Sequence, residues 1–439
     1  MRYQSHSQQD IDAMLAAIGA KSLDALFDSI PKSLQLKGLV DVPEALDERA
    51  LLDHLGDLAA KNAHAPPFLG AGAYPHHVPP AVDQLLLRSE FYTAYTPYQP
   101  EISQGTLQAV FEFQTYVSLL TGLDVANASM YDGATAAAEA ALLCQRAKSD
   151  RKAVAFSRAL HPAYRKVAKA YLEPAGVEVR EIPFDANGRT DLALAKKAMD
   201  GAAGLVVGYP NFFGIVEPLK ELAALAHEAG ALCVSATTEA LAFGLLASPG
   251  SLGADLAVGE MQSFGNGLSF GGPGLGFFAA KEALLRQMPG RLVGATTDKR
   301  GRRGFVLTLA TREQHIKREK ATSNICTNHG LDALAATIHL SLLGGQGLHA
   351  LAQLNWQRAH YARNELKKVG LAPTFAAPHF NEFAVKADPA ALEKKLAAAG
   401  IDGGYSLGRD YPELAPSTLF CVTELHTKEA IDRLAAALH

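Results

Sequence analysis

Hydrophobic and polar positions in the middle of the chain follow two alternating periods. Between about residues 130 and 280, short apolar runs typical of buried strands alternate with stretches whose apolar residues recur at helical spacing. The predicted strands are 153–157, 177–182, 205–209, 232–235 and 254–258, and the predicted helices are 162–172, 192–199 and 217–229. This alternation predicts βαβ units and a mainly parallel, doubly wound α/β sheet with helices on both faces. Functional loops are then expected at the carboxyl ends of the strands.

The two ends of the chain carry different patterns. In residues 1–65 apolar residues recur at helical spacing from Ile11 to Ile18, which predicts an N-terminal helical arm. Residues 66–330 are predicted to form a large α/β domain. Residues 331–439 are predicted to form a connecting helix and a smaller α+β domain.

Composition and charge narrow the class of protein. The 439 residues are 48% hydrophobic and 20% charged, with a net charge of −4, so the chain can bury a large core. No basic field is present to attract nucleic acid, which we do not expect as a partner. The most apolar stretch, 331–351, carries Asp332 and two histidines, and we interpret it as a buried helix pair rather than a membrane span.

The N-terminal residues and the cysteines indicate the cellular compartment of the protein. Asp10 and Asp12 stand where an export signal would carry positive charge, so a cytoplasmic protein is predicted. The four cysteines lie far apart, without metal-ligand spacing, and are expected to be reduced, buried thiols with no metal site. They are Cys144, Cys233, Cys326 and Cys421.

Residues 253–278 form the most informative segment. A buried apolar run leads into a glycine-dense loop and out into a second apolar run. This resembles the aspartate-aminotransferase fold (fold type I), which places the lysine that binds pyridoxal phosphate at such a strand end. No lysine occurs between Lys220 and Lys281, and Gln262 with Ser263 stands near the expected position. An amide and a hydroxyl cannot form an imine, so we predict that the cofactor lysine is lost.

Two other cofactor contacts of that fold can be sought in the sequence. The Asp that pairs with the ring nitrogen is expected near Thr238, and the acidic residue beside it, Glu239, remains an alternative mimic. The phosphate is expected at a helix start, where Gly133, Ala134 and Thr135 supply backbone N–H groups and a hydroxyl. Two interpretations of this turn stay open, a vestigial phosphate loop and an empty N-capped helix.

Two longer strings carry a resemblance over nearly the whole chain. Residues 95–105 read Tyr-Thr-Pro-Tyr-Gln-Pro-Glu-Ile-Ser-Gln-Gly, and residues 303–327 contain Thr-Arg-Glu-Gln-His-Ile. Together with 68–74 and the glycine loop, they resemble the first half of glycine decarboxylase, the P-protein of the glycine cleavage system.

The resemblance implies a division of labour between two chains. The split form of this family has α and β subunits in an α2β2 heterotetramer, and this chain is similar to the α subunit, which lacks the cofactor lysine. The β subunit would then carry pyridoxal phosphate. The implied reaction is the decarboxylation of glycine on the cofactor, followed by transfer of the aminomethyl group to the lipoyl group of H-protein.

Polar or aromatic residues on irregular backbone within the two strings are candidates for lining the partner's pocket or the interface. They are Tyr95, Tyr98, Glu101, Ser103, Gln104, Arg312, His315 and Asn324. For each one, an ordinary loop contact remains the alternative. A non-catalytic structural subunit and a stand-alone pyridoxal-phosphate enzyme with an unexpected lysine remain the rival functions. The basic run from Arg291 to Arg303 is either a solvated loop or a docking surface for an acidic carrier.

Overall fold

The computed structural model describes residues 5–62 and 65–439, and these two ranges belong to two separate compact units. The first unit contains α1 (Gln8–Ile18) and α2 (Glu48–Ala59), with a 3-10 helix at Asp24–Phe27 between them. Ser7 and Asp47 cap the two helices by accepting backbone N–H groups. The helical character predicted for the arm is confirmed for these residues, while residues 1–4, 63 and 64 lie outside the described part.

The second unit holds the remaining elements. Its helices are α3 (Pro80–Leu86), α4 (Ser89–Tyr92), α5 (Gln104–Thr121), α6 (Gly133–Ala147), α7 (Pro162–Leu172), α8 (Leu192–Ala198), α9 (Leu219–Glu228), α10 (Gln314–Lys317), α11 (Gly330–Lys368), α12 (Pro389–Ala398) and α13 (Lys428–Leu438). Its strands are β1 (Val125–Ala126), β2 (Ala153–Ser157), β3 (Glu178–Ile182), β4 (Gly204–Gly208), β5 (Leu232–Thr237), β6 (Leu256–Glu260), β7 (Gly276–Ala280), β8 (Leu292–Thr297), β9 (Arg303–Thr308), β10 (Glu382–Val385), β11 (Tyr405–Ser406) and β12 (Thr418–Cys421). Short 3-10 helices occur at Ala240–Gly244, Gly250–Leu252, Glu282–Gln287, Ala310–Arg312, Arg318–Lys320, Leu407–Arg409 and Pro412–Leu414.

A seven-stranded sheet forms the centre of this unit. Its strand order is β1-β7-β6-β5-β4-β2-β3, and β7 pairs antiparallel with both of its neighbours. The pairs among β2 to β6 are parallel. Buried apolar side chains cover both faces, because α6 and α7 pack with one cluster while α5 and α11 pack with another. The predicted α/β class and mainly parallel sheet are confirmed.

A smaller antiparallel sheet follows near the carboxyl end of the chain. Its order is β10-β12-β11, and α12 and α13 supply apolar side chains to its core. The smaller α+β part is therefore confirmed. The hairpin β8–β9 was not predicted, although alternating small and β-branched residues lead into its turn at residues 298–302.

Two predictions from the sequence concern the apolar stretch 331–351 and the four cysteines. The stretch 331–351 is a pair of helices, since α11 breaks at Gly344, whose φ of 60° suits a glycine. All four cysteines are free, but the expectation of burial is wrong for Cys326, which is exposed on irregular backbone beside the buried Ile325. Within the described ranges, no helix is long and apolar enough to cross a membrane.

Candidate functional site

The position expected for a cofactor lysine lies just beyond the carboxyl end of β6. Gln262 and Ser263 occupy it and are both buried. Lys281 lies at the opposite end of the sheet, because β7 runs antiparallel to β6, and its ammonium bonds to Asp255 at 2.6 Å. Lys220 lies in the first turn of α9. Lys281 is therefore placed away from Gln262.

The helix start expected to hold a phosphate belongs to α6. Asp132 caps this helix by accepting the N–H of Thr135 at 2.7 Å. The next free donor, the N–H of Gly133, donates to the Glu260 carboxylate at 3.2 Å. Gly133 is also covered by Tyr164, whose hydroxyl would lie 1.8 Å from any Cβ added there. Both acceptors at this helix start are thus side chains of the chain itself.

The Glu260 carboxylate has further partners from the glycine loop. Its other oxygen accepts the N–H groups of Leu275 at 2.5 Å and Gln262 at 3.1 Å. Burial raises the pKa of this carboxyl, while the three N–H groups oppose that rise. The helix start at Gly133, Ala134 and Thr135, for which the sequence left a vestigial phosphate loop and an empty N-capped helix open, is the start of α6, and the structure places the Glu260 carboxylate against it.

The position expected for the ring-nitrogen partner lies after β5. Thr238 shares a hydrogen bond with the Tyr74 hydroxyl at 3.1 Å. Glu239 bonds to His76 at 2.8 Å, and the other ring nitrogen of His76 bonds to Glu424 at 2.8 Å. Although burial opposes the charge, the two carboxylates raise the pKa of His76 to about 10. His76 is therefore a buried cation held between two carboxylates.

The partners of this cation are held in turn by other groups. Glu424 accepts the N–H of His77 at 2.8 Å and a side-chain donor of Asn355 at 3.0 Å. Despite burial, the bonds to His76 lower the pKa of Glu424 to about 2. Glu239 also accepts from Asn381 at 3.2 Å and from its own helix start at Leu241. Both oxygens of Glu239 therefore already accept hydrogen bonds from groups of this chain.

A second buried carboxyl closes the same region. Glu382 accepts the Tyr74 hydroxyl at 2.8 Å and the N–H of Ala71 at 2.7 Å. Burial raises the pKa of Glu382 to about 7. We refer to Tyr74, His76, Glu239, Glu260, Glu382 and Glu424 as the internal polar network. It does not fit pyridoxal phosphate, because its groups take the phosphate and ring-nitrogen positions and Gln262 cannot form an imine.

A second region presents an open cavity of about 340 Å³. Phe91, Tyr92 and Tyr95 line one side of it, and Leu331 and Leu334 at the start of α11 line the other. Polar residues, among them Arg291 and Thr327, also contribute to its wall. We call this space the aromatic cavity. It is mainly apolar with a few polar groups, which is the usual composition of a small-molecule pocket.

The cationic group of this cavity is Arg291, which is only 5% exposed. Its guanidinium donates to the Tyr98 hydroxyl at 2.9 Å and to the Thr327 hydroxyl at 3.2 Å. The same group lies over the Tyr98 ring, 5.3 Å from the centroid. The Glu313 carboxylate lies 3.8 Å from its Nε. Arg291, the first residue of the basic run, is therefore a buried charge. The remaining residues of the run, 292–303, belong to the β8–β9 hairpin.

The structure brings several of the sequence candidates to this region. Tyr95 is 82% exposed and lines the cavity, while Tyr98 contacts Arg291 and approaches the His315 ring, with centroids 6.2 Å apart. Glu101 is exposed beside the hairpin, near Arg303. These side chains share one face of the unit and leave functional groups accessible.

Other candidates are used in internal contacts. The Gln104 amide bonds to both backbone groups of Phe305, at 2.8 and 2.9 Å, and so ties the start of α5 to β9. Arg312 donates to the carbonyls of Met288, Gly290 and Leu309. These two side chains fix the start of α5 and the segment before Arg291, which supply wall residues of the cavity.

The two remaining candidates make fewer contacts. Ser103 stands at the N-cap of α5 without a side-chain capping bond, and Asn324 is exposed, with its backbone carbonyl accepting from Gln314. The segment after Asn324 runs toward the start of α6, because the N–H of Cys326 donates to the Tyr131 hydroxyl at 3.1 Å. The irregular stretch 323–329 therefore connects the wall of the aromatic cavity with the residues just before α6.

Sequence reasoning missed several residues of the site. Tyr74 lies within a quoted string and Glu260 within the glycine loop, but neither was selected, and His76, Glu382 and Glu424 were not considered. The sequence signal for these residues is their position, since they are polar residues at strand ends or in the irregular segment after Pro67. Which of them pair with one another depends on contacts between distant segments of the chain. Glu260 and Gly133, for example, are 127 positions apart.

The fold is that of the pyridoxal-phosphate-dependent fold type I class. One solved structure that shows this fold is a sphingosine-1-phosphate lyase of Burkholderia pseudomallei, at a TM-score of 0.66 and 17% identity, covering 93% of each chain. The profile of the family "Glycine cleavage system P-protein" matches residues 1–438. The chain belongs to this family.

Individual relatives agree over the full length. A protein of Anaeromyxobacter dehalogenans, strain 2CP-C, described as "Probable glycine dehydrogenase (decarboxylating) subunit 1", is 59% identical, covering 100% of both chains. A solved structure described as "glycine decarboxylase (P-protein) of the glycine cleavage system, in inhibitor-bound form" has a TM-score of 0.90 and 46% identity, covering 100% of this chain and 99% of that chain. The resemblance identified from the sequence is confirmed.

Proposed function

We propose that this chain is the α subunit of a cytoplasmic glycine decarboxylase and shapes an active site whose cofactor is carried by another chain. A β subunit would hold pyridoxal phosphate, two copies of each chain would form an α2β2 heterotetramer, and lipoylated H-protein would accept the aminomethyl group. When bound, the cofactor supplies the electron-accepting ring for decarboxylation. This chain's residues would bind, orient and shield the reacting groups.

The observation that carries this proposal is the contrast between the two regions of the site. The carboxylates of the internal polar network accept hydrogen bonds from groups of the same chain. The aromatic cavity has accessible aromatic groups and a buried cation, Arg291. A subunit that contributes to a shared active site needs accessible groups such as those of the aromatic cavity, whereas groups bonded within the chain, as in the internal polar network, cannot serve this purpose.

The geometry of the aromatic cavity supports a role in positioning. Gln104 ties the start of α5 to β9, and Arg312 holds the segment of Met288 and Gly290 that precedes Arg291, so internal contacts fix elements that supply wall residues of the cavity. Among the described residues, the Tyr95 hydroxyl has no hydrogen-bond partner, and its ring is largely exposed. An aromatic side chain of this kind can cover a substrate from across an interface and exclude water.

Exposed apolar side chains support assembly with other chains. In residues 5–62 no side chain is buried, yet Leu23, Phe27, Leu34 and Leu39 are among the many large apolar residues exposed there. Such a concentration of apolar surface is typical of a protein–protein contact. We propose that this unit packs against another subunit of the heterotetramer.

The direct test replaces Tyr95 by alanine in the assembled complex and measures glycine–bicarbonate exchange. We expect the exchange rate to fall about ten-fold or more, because the reacting groups lose a positioning surface. Tyr171→Ala is the control, since Tyr171 lies on α7 and packs against the core of the main sheet, outside the cavity. The control should keep its rate while size-exclusion chromatography shows intact assembly for both variants.

The rival is a structural subunit that only assembles the complex. Gln104 and Arg312 are compatible with it, because their contacts are internal. If the Tyr95→Ala complex assembles normally and exchanges at the rate of the unchanged protein, the structural interpretation is correct and the proposed positioning role is wrong.

A further inference from the structure

Glu260 lies where three chain segments present backbone N–H groups to one point. Gly133 opens α6, Gln262 follows β6 and Leu275 precedes β7, and all three donate to this carboxylate. A helix start favours an anion through its free N–H groups and its dipole, and bonds from N–H groups to a charged acceptor are stronger than neutral ones. The converging donors therefore suit a negatively charged group, and the chain supplies one.

The chain packs closely around this carboxylate. A Cβ added to Gly274 would lie 2.9 Å from Glu260 Oε2, and one added to Gly133 would lie within 1.8 Å of the Tyr164 hydroxyl. Asp132 takes the N–H of Thr135 and adds a second acidic side chain at the same helix start. A phosphate would need both the position and the donors that Glu260 uses.

We propose that Glu260 is a built-in substitute for the phosphate group and excludes pyridoxal phosphate from this chain. The inference rests on the proposed function, in which the cofactor belongs to the partner subunit. It adds that Glu260 is the residue that keeps the cofactor from binding to this chain. Loss of the lysine prevents covalent attachment, whereas Glu260 prevents binding of the phosphate itself. The two features act on different parts of the cofactor.

The test uses the full chain and inorganic phosphate as the probe. Glu260→Ala removes the carboxylate and frees the three N–H groups, so phosphate should bind and raise the thermal midpoint by about 2 °C once it exceeds its dissociation constant ten-fold. Each measurement is paired with chloride at equal ionic strength. The unchanged chain should show no difference between the two salts.

Glu217→Ala is the matched control. Glu217 is also a buried carboxyl that accepts backbone N–H from Thr190, at 2.9 and 3.1 Å, but it does not face the start of α6. This variant should lose stability and show no response to phosphate. A response equal to that of Glu260→Ala would show that loss of a buried carboxylate in general creates phosphate binding, and would overturn the inference.

The remaining outcomes also decide the question. A folded Glu260→Ala chain without a phosphate response, or an unchanged chain that responds as strongly, would overturn the inference. If Glu260→Ala does not fold in chloride, its refolding yield is compared in the two salts, where recovery in phosphate supports the inference and equal failure contradicts it. The proposed function is tested separately by Tyr95→Ala, so the two can fail independently.

Discussion

The position that would hold a cofactor and the aromatic cavity differ in how their polar groups are used. At the carboxyl ends of β5 and β6, Glu239 and Glu260 are bonded to groups of the same chain. In the aromatic cavity, Tyr95 is 82% exposed and reaches no described partner. Side chains that are bonded within the chain stabilise its fold, whereas an exposed side chain without a partner can act on another molecule. Substitutions in the two regions should therefore affect different properties.

The largest effect is expected at His76. Replacing it by alanine leaves two buried carboxylates, Glu239 and Glu424, without their cation, which should lower the free energy of unfolding by about 3–5 kcal/mol. Denaturant unfolding measures this change. His227 is the control, because it pairs with Asp255 but its side chain is 42% exposed. His227→Ala should lower the free energy of unfolding by less than about 1 kcal/mol. Equal losses in the two variants would show that burial of the His76 ion pairs adds no stability beyond that of an exposed pair.

The next effect concerns pH and Glu382. Burial raises the pKa of this carboxyl from its ordinary 4.5 to about 7, so the folded chain binds an extra proton between these values. The stability that this proton provides is fully present below pH 4.5 and is lost as pH rises through about 7. Glu382→Gln should abolish this decline, which unfolding at a series of pH values from 5 to 8 would detect. An unchanged pH profile in the variant would contradict the assignment.

A smaller loss is expected at Gln104. Its amide makes two hydrogen bonds to the backbone of Phe305, so Gln104→Ala should lower the free energy of unfolding by about 1–2 kcal/mol. The neighbouring Gln108, which bonds only to Glu112 on the same exposed helix face, provides the control. A loss of the same size at Gln108 would show that the bonds from Gln104 to β9 add no stability of their own.

The smallest stability change is expected at Tyr95. Its ring is largely exposed, so Tyr95→Ala should change the free energy of unfolding of the chain by less than about 0.5 kcal/mol. The same substitution is expected to reduce glycine exchange in the complex. A large loss of stability would mean that Tyr95 belongs to the core, and the contrast between the two regions would fail.

Much of the fold could be predicted because its local signals are strong. The predicted ranges 153–157 and 162–172 coincide with β2 and α7, since short apolar runs and helical spacing are well separated there. The β8–β9 hairpin was missed because its basic residues dominate the local pattern, although Leu292 to Thr297 are rich in strand-forming residues.

The site could be predicted only in part. The loss of the lysine near Gln262 and the helix start at Gly133 were visible, because each depends on local sequence. The buried side chains that occupy the expected cofactor positions could not be identified from the sequence. His76 contacts Glu424 across 348 positions of the chain, and Tyr74 contacts Glu382 across 308. Such pairs form only when the smaller sheet packs against the segment after Pro67, which no local pattern encodes.

The most direct test of the central claim locates the cofactor in the assembled complex. The purified complex is treated with borohydride in the presence of pyridoxal phosphate, and each chain is then analysed by mass spectrometry for a reduced pyridoxyl adduct. We predict one adduct on a lysine of the partner subunit and none on this chain. A stoichiometric adduct on any lysine of this chain would contradict the account.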